Sequence, residues 1–316
     1  MKINHLSLIS KLSNINNISG YINIDKSIDW TSNDVVRKLK GLLGVKKIGH
    51  GGTLDPLATG VLPICINSAT RFSEYILLGT KTYRATIKLG EATDTYDSEG
   101  SITNKNEYSF IDKTYILKTL DEFKGEIIQI PPMYSALKHK GKPLYKLARE
   151  GIIVERKPRN VSINKIQLIE YDPPLMTVEI NSSHGFYVRS FANDIGKRLG
   201  TFAHLVNLQR TRAGVFQIKD SIKIDELIYY VNTNEVMKYI IPIDYTLSHL
   251  RHIHVNLHQE KQIRTGQKII VHDMPQFTLW NENEEIIVFS KENTMIGLLT
   301  FSKKHLELKP KKILNI

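Results

Sequence analysis

The run Gly49-His50-Gly51-Gly52-Thr53-Leu54-Asp55-Pro56 decides the reading of this chain. From His50 to Gly60 there are three glycines, two threonines and one proline, a composition that makes a loop. A glycine-rich loop can set a carboxylate, here Asp55, at the mouth of a cleft. An aspartate before proline is also a common turn former, so the surroundings have to decide.

Working outward, the loop lies between ordered elements. Upstream, Tyr21-Ile22-Asn23-Ile24-Asp25 alternates like a half-buried strand. Ser32-Asn33-Asp34 supplies N-cap chemistry for a helix on which Val35, Val36, Leu39, Leu42 and Leu43 recur, with Gly44 at its C-terminal cap. Downstream, a strand is predicted at 61–67, and residues 82–89 alternate with Tyr83, Ala85, Ile87 and Leu89 on one face. Ile116, Leu117, Leu120 and Phe123 suggest an amphipathic helix. Prolines and glycines interrupt 126–166, strands follow at about 161–169 and 175–181, and a helix carries Val188, Phe191, Ala192, Ile195 and Leu199 before Gly200. Beyond residue 250, short runs at Leu279-Trp280, 286–289 and 296–299 read as a small β module. Irregular alternation of strands and helices predicts an α+β fold with a mixed sheet.

Composition sets outer limits. The chain has 316 residues, 41% hydrophobic and 24% charged, which provides a sizeable core and argues against global disorder. A formal charge of +11 and a pI of about 9.4 favour a polyanionic partner, because Lys and Arg displace counterions from phosphates. AT-rich coding yields the same Ile, Asn and Lys bias, so charge alone leaves nucleic-acid binding open. The single cysteine, Cys65, excludes an intramolecular disulfide and a multi-cysteine zinc site, and its apolar setting makes it a buried small hydrophobe. No apolar run approaches the roughly 18 residues that span a bilayer. Residues 1–19 lack a signal-peptide core and read as a floppy extension, which places the protein in the cytoplasm.

The Asp55 loop closely resembles the signature of the TruB family of tRNA pseudouridine synthases, a glycine-histidine-x-glycine-x-leucine-aspartate-proline core. The likeness continues through Ala58, Gly60, Leu62 and Pro63. Further matches come in the family's order: Lys26 (with Ser27 where a proline is usual), Lys81-Thr82-Tyr83-Arg84, Leu89-Gly90, Thr93-Asp94-Thr95 and Asp97-Ser98-Glu99-Gly100. The run from Gln129 to Lys138, Gly185 to Ser190, and Leu208-Gln209-Arg210-Thr211 complete the set. It is dense from residue 20 to about 220 and weak in the tail.

The resemblance implies a pseudouridine synthase fold: a mixed, largely antiparallel sheet flanked by helices, plus a small C-terminal β-rich PUA-like module. It implies an extension at 1–19, a catalytic domain at 20–250 with an RNA-gripping insertion at about 129–157, and an RNA-binding module at 251–316. The implied reaction isomerises uridine 55 in the tRNA T-loop within a base-flipping pocket. It requires neither metal nor other cofactor. The partner is the T-arm stem-loop of tRNA, with no obligate protein partner.

The resemblance also assigns roles. Asp55 is the catalytic carboxylate and Arg189 the buried cation that keeps it ionised, a pairing that also explains an arginine at a helix start, where cations are disfavoured. Tyr83 stacks on the flipped uracil with its hydroxyl near carbon 5, although a tyrosine on this strand face is equally a core residue. Tyr187 and Leu208 line the base pocket, Lys26 contacts substrate, and His50 fills the vacancy in the RNA stack. Lys138, Lys140 and Lys142, with His139, Lys146 and Arg149 nearby, grip the RNA backbone. In the tail, Lys303, Lys304, Lys309, Lys311 and Lys312 are expected at phosphates. His252, His254 and His258 fit no zinc spacing and read as surface residues. Two other readings compete: a guide-RNA-dependent relative sharing the aspartate loop, and a tRNA-folding chaperone for which Asp55 is dispensable.

Overall fold

Why the loop can hold its carboxylate in place follows from three strands that meet beside it. The computed structural model describes residues 18–271 and 278–314. Most of the expected 1–19 extension therefore lies outside the described residues. Of it, Ile18 and Ser19 are tied to Asn67 and Ser68.

In chain order the N-terminal part runs β1 (Gly20–Lys26), α1 (Ser32–Leu43), β2 (Ile48–His50), β3 (Ala58–Ile66), a 3-10 turn (Asn67–Phe72) and α2 (Ser73–Leu77). Next come β4 (Lys81–Leu89), β5 (Glu91–Thr93), β6 (Ile102–Lys105), α3 (Lys113–Glu122), β7 (Gly125–Gln129), β8 (Lys138–His139), β9 (Lys142–Pro143) and α4 (Leu144–Arg149). It closes with β10 (Arg159–Asp172), β11 (Leu175–Ser182), α5 (Val188–Arg198), β12 (Ala203–Ala213), β13 (Phe216–Gln217) and α6 (Ile224–Asn232). The tail adds β14 (Arg251–His254), α7 (Leu257–Arg264), β15 (Ile269–Ile270), β16 (Glu285–Phe289), β17 (Met295–Ser302) and β18 (Glu307–Ile313).

The main sheet has the order β1-β3-β12-β4-β11-β10-β7, with β2 on β3 and β13 on β12. Only β3 and β12 run parallel, so the sheet is mixed and largely antiparallel, as predicted. Its buried face carries Ala85, Ile87 and Leu89 of β4 against α5, whose Phe191, Ala192 and Ile195 are buried. Val35, Leu39 and Leu43 of α1 cover Ile22, Ile24 and Leu62 on the same core. Each such aliphatic or aromatic side chain contributes about 1.5–3 kcal/mol on burial.

The cap of α1 differs from expectation by one residue. Thr31 is the N-cap and forms a capping box with Asp34. Ser32 is diverted: its hydroxyl accepts from Leu54 N (2.8 Å) and donates to Leu54 O (3.1 Å), tying the helix to the Asp55 loop. The strand after that loop starts at Ala58, earlier than predicted, because its first residues pair with β12. Gly60 makes the pairing possible. Its φ is +96°, and a Cβ there would stand 2.3 Å from Arg210 O.

The tail is a five-stranded sheet, order β14-β16-β17-β18-β15. Leu279-Trp280, expected to be β, is not strand; buried Trp280 packs edge-on against Phe301. This tail sheet shares a core with the main sheet, in which Val61, Cys65 and Phe72 meet Ile287, Leu298 and Leu314. Burial there pushes the Cys65 thiol up to about 12, consistent with an unreactive core residue. Lys312 does not offer its charge to solvent as expected of it. Its ammonium pairs with Glu74 (2.7 Å) and lies 5.2 Å from the ring centres of Phe72 and Tyr75. Lys309 and Lys311 pair with Glu307 and Glu285, whereas Lys303 and Lys304 lie on an exposed turn. His252, His254 and His258 are exposed, and no metal-binding cluster occurs among the described residues.

Candidate active site

Register brings the site together. Arg210 of β12 pairs with Gly60 of β3 on one side and Tyr83 of β4 on the other, and Leu208 pairs with Ala58 and Ala85. The loop ending at Asp55 therefore opens directly over Tyr83, Leu208 and Arg210.

Three buried donors fix that loop. Lys26, wholly buried, donates to Pro56 O (3.2 Å), Trp30 O (2.6 Å) and Ser27 O (3.0 Å). Arg210, 1% exposed, donates to Gly52 O (3.0 Å), Thr53 O (3.3 Å) and Val61 O (2.7 Å). Ser32 holds Leu54, as described above. Gly51 lies so close to Ile76 that a Cβ would meet its side chain at 2.7 Å. Pinned at Gly52 through Leu54 and again at Pro56, the chain leaves Asp55 with its carboxylate facing a cavity of about 290 Å³. Asp55, Tyr83, Tyr187, Arg189 and Leu208 all line it, together with Lys81, Phe186 and Arg210.

Arg189 stands on the first turn of α5, 5% exposed, with Nε 2.8 Å from Asp55 Oδ2. The N–H is not aligned on that oxygen, so the contact is an ion pair more than a straight hydrogen bond. Its other nitrogens face Asp97 Oδ2 (3.4 Å), Tyr134 O (2.7 Å) and Thr95 O (3.5 Å). Asp97 is the partner the sequence reading left without a role. It is buried on the β5–β6 connection, where desolvation raises its pKa against the opposing pull of the Thr95 hydroxyl and Arg189. Asp55 is 34% exposed through the cavity mouth, so the guanidinium joins one buried and one half-open carboxylate.

Burial raises the pKa of both Tyr83 and Tyr187, so both rings are neutral phenols at neutral pH, with Arg210 pulling Tyr83 the other way. Gln129 at the end of β7 brackets the residue before α5, donating to Tyr187 O (3.0 Å) and accepting from its N–H (2.7 Å). Two residues expected to contact substrate, Lys26 and His50, lie outside the cavity wall. The Lys26 amine is spent on carbonyls, and burial lowers its pKa to about 8. His50 ends β2 beside the loop but also outside the cavity wall. Its Nδ1 accepts from Gly52 N (3.3 Å), and burial followed by Arg210 lowers its pKa, leaving a neutral imidazole.

The insertion at 129–157 folds as the β8–β9 hairpin, turning at Lys140 and Gly141, followed by α4. Lys138 and Lys140 are exposed on this hairpin, whereas Lys142 pairs with Glu150 (2.6 Å). Through Tyr134 O it is linked to Arg189.

This geometry can be set beside known proteins. Residues 40–188 match the family described as TruB family pseudouridylate synthase (N terminal domain), and residues 189–248 match the tRNA pseudouridylate synthase B C-terminal domain. A "tRNA pseudouridine synthase B" of Haemophilus influenzae is 39% identical over 285 residues, 89% of each chain. The chain belongs to the TruB family of pseudouridine synthases. Its TruB relative in Clostridium tetani is 42% identical over 252 residues, 80% of this chain and 86% of that one. In three dimensions it is similar to a chain in the crystal structure of a Cbf5-Nop10-Gar1 complex, with a TM-score of 0.72, 25% identity, and coverage of 96% and 86%. A chain of an H/ACA RNP bound to a substrate RNA containing 2'-deoxyuridine shares the fold (TM-score 0.70, 22% identity, coverage 94% and 85%). TruB enzymes are isomerases, and the cavity that Asp55 faces is the candidate site.

Proposed function

We propose that this TruB member converts uridine 55 of the tRNA T-loop to pseudouridine, with Asp55 as the carboxylate that acts on the flipped nucleotide. The observation that carries the reading is the Asp55–Arg189 ion pair at the mouth of a nucleobase-sized cavity lined by Tyr83, Tyr187 and Leu208. Residue and nucleotide share a number by coincidence.

Extruding the uridine costs a few kcal/mol of stacking. Tyr83 and Leu208 present ring and aliphatic surface that repay part of it, and Tyr187 offers a hydroxyl. The reaction then moves the ribose C1′ bond from N1 of uracil to C5; N1 gains a proton and C5 loses one. Atoms and electrons balance within the nucleoside, so the scheme calls for no redox partner. Asp55 meets the sugar or base as an anion, and Arg189 keeps it aimed. The exposed Lys138 and Lys140 hold the RNA backbone from the insertion.

Curated relatives named tRNA pseudouridine synthase B, at 39–42% identity, support this reading over a guide-dependent one. The test is Asp55→Asn with a T-arm stem-loop carrying 5-tritiated uridine. The variant should bind the RNA and release no tritium. Substantial release would remove Asp55 from the chemistry.

A further inference from the structure

Two buried cations on the cavity wall have no carboxylate partner. Arg210 gives its donors to Val61 O, Gly52 O and Thr53 O, and no acidic side chain lies within ion-pair distance of it among the described residues. Lys81, 6% exposed, donates to Ile76 O (3.1 Å), Gly79 O (2.6 Å) and Leu77 O, all backbone. Both line the cavity that Asp55 faces. Burial, and then the charge of Arg210, lowers the Lys81 pKa to about 8.

Burying an ion against carbonyl dipoles and, for Arg210, the Tyr83 hydroxyl costs several kcal/mol, and two like charges on one wall add repulsion. Tying the loop accounts for the carbonyl contacts of Arg210. It does not account for a second uncompensated cation on the same wall. Asp55 on the cavity wall and the buried Asp97 outside it share one arginine, an excess of one negative charge. The wall itself therefore carries one carboxylate, already paired with Arg189, and two further cations.

We infer that Arg210 and Lys81 form a cationic wall that stabilises the negative charge carried by the uracil ring while the N1–C1′ bond is broken. This rests on the reading of Asp55 given above. When that bond breaks heterolytically, both electrons leave with the base. The ring becomes an anion, and C1′ becomes electron-deficient and is met by the Asp55 carboxylate or relieved by transfer of the C2′ proton to that carboxylate, which returns it when the C5–C1′ bond forms. The returning C5–C1′ bond uses the ring's electron pair, and the C5 proton then leaves as N1 is protonated. A wall of fixed cations in a dry cavity needs no reorganisation at that moment, which is where electrostatic stabilisation is strongest. The fold has built the charge pattern of the separated fragments before any RNA arrives.

The test compares two T-arm stem-loops, one with uridine and one with 5-fluorouridine at the target. Fluorine withdraws electrons, so fluorouracil leaves as an anion with less help. Single-turnover loss of the N-linked nucleoside, read after nuclease digestion, is followed for wild type, Arg210→Gln, Arg210→Lys and Lys81→Met. Removing the charge at Arg210 should slow the uridine RNA about 100-fold and the fluorouridine RNA about tenfold less than that, with Arg210→Lys in between. Lys81→Met should show the same inequality on a smaller scale, and serves if Arg210→Gln does not fold. Equal losses on both RNAs would reduce Arg210 to a clamp on the loop and overturn the inference. Asp55→Asn runs alongside: if it cleaves either RNA, the Asp55 reading fails, whatever the Arg210 ratio.

Discussion

Replacing Arg189 with methionine keeps the apolar stem of the side chain and removes a charge that two carboxylates share. Asp97 bears most of the loss, being 3% exposed and left with the Thr95 hydroxyl and the Glu99 amide (3.2 Å) as donors. Asp55 is open to water and loses less. Breaking a buried pair by deleting one partner costs about 3–5 kcal/mol. The surviving donors and the raised pKa of Asp97 place Arg189→Met near the lower end, about 3 kcal/mol. The sign of the pH effect follows from that pKa. Without the guanidinium it rises further, so the folded state takes up a proton at a pH where the unfolded chain does not. The deficit therefore shrinks on acidification, by at most about 1.4 kcal/mol per unit. Adding Asp97→Asn removes the stranded charge and should restore about 2 kcal/mol. Urea denaturation at about pH 7.5 and about pH 5.5 reads all three quantities. A deficit under about 1 kcal/mol, or a double variant no more stable than the single, would refute the assignment of Asp97 as the group that makes the arginine structurally necessary.

Other outcomes follow from the same structure. Lys138→Gln and Lys140→Gln should each lower the slope of log affinity for T-arm RNA against log salt by about 0.7–0.9, and Lys142→Gln by less, since Glu150 competes for it; unchanged slopes would detach the insertion from the RNA. Lys312→Met should cost about 1–2 kcal/mol in urea denaturation by removing the Glu74 pair and two ring contacts, and a neutral effect would mean that apolar packing alone holds the module. Lys26 has its folded pKa near 8, below that of the unfolded chain. Between about pH 8 and pH 10.5 the unfolded state therefore holds the extra proton, and wild type should gain stability relative to Lys26→Met as pH rises through that window; a flat difference would contradict the burial of its ammonium.

Much of the site was legible because its chemistry is local in sequence. The family resemblance of the run from Gly49 to Pro56 singled out Asp55, and that of the run from Gly185 to Ser190 supplied Arg189 as its partner. What escaped depends on register and close approach. Asp97 stood in a matching run, but its contact with Arg189 spans the distance from β5 to α5, and no periodicity reports it. Lys81 shares the parity of Tyr83, Ala85 and Ile87, but only the alignment of β3, β12 and β4 brings it to one cavity with Arg210. β12 itself was missed as a strand because two register shifts, near Leu205 and Arg210, break its alternation. Helix α7 buries little beyond Ile263 and so has no stripe to read. Thr31 and Ser32 are equal as caps on paper; the pull of Leu54 on Ser32 separates them. Lys312 was taken for a phosphate ligand because the aromatic rings that receive it lie some 240 residues earlier.

The core that Val61 and Phe72 share with Leu298 and Leu314 bears on how the chain comes apart. A boundary drawn at residue 250 marks a change of texture, yet the strand that follows the Asp55 loop leans on residues more than two hundred positions downstream. Denaturation should then be a single cooperative event, with the tail sheet lending its packing to the strand that follows the Asp55 loop. An enzyme shortened at that boundary would expose the back of β3 to water and lose the rigidity its carboxylate requires, before any contact with RNA is at issue.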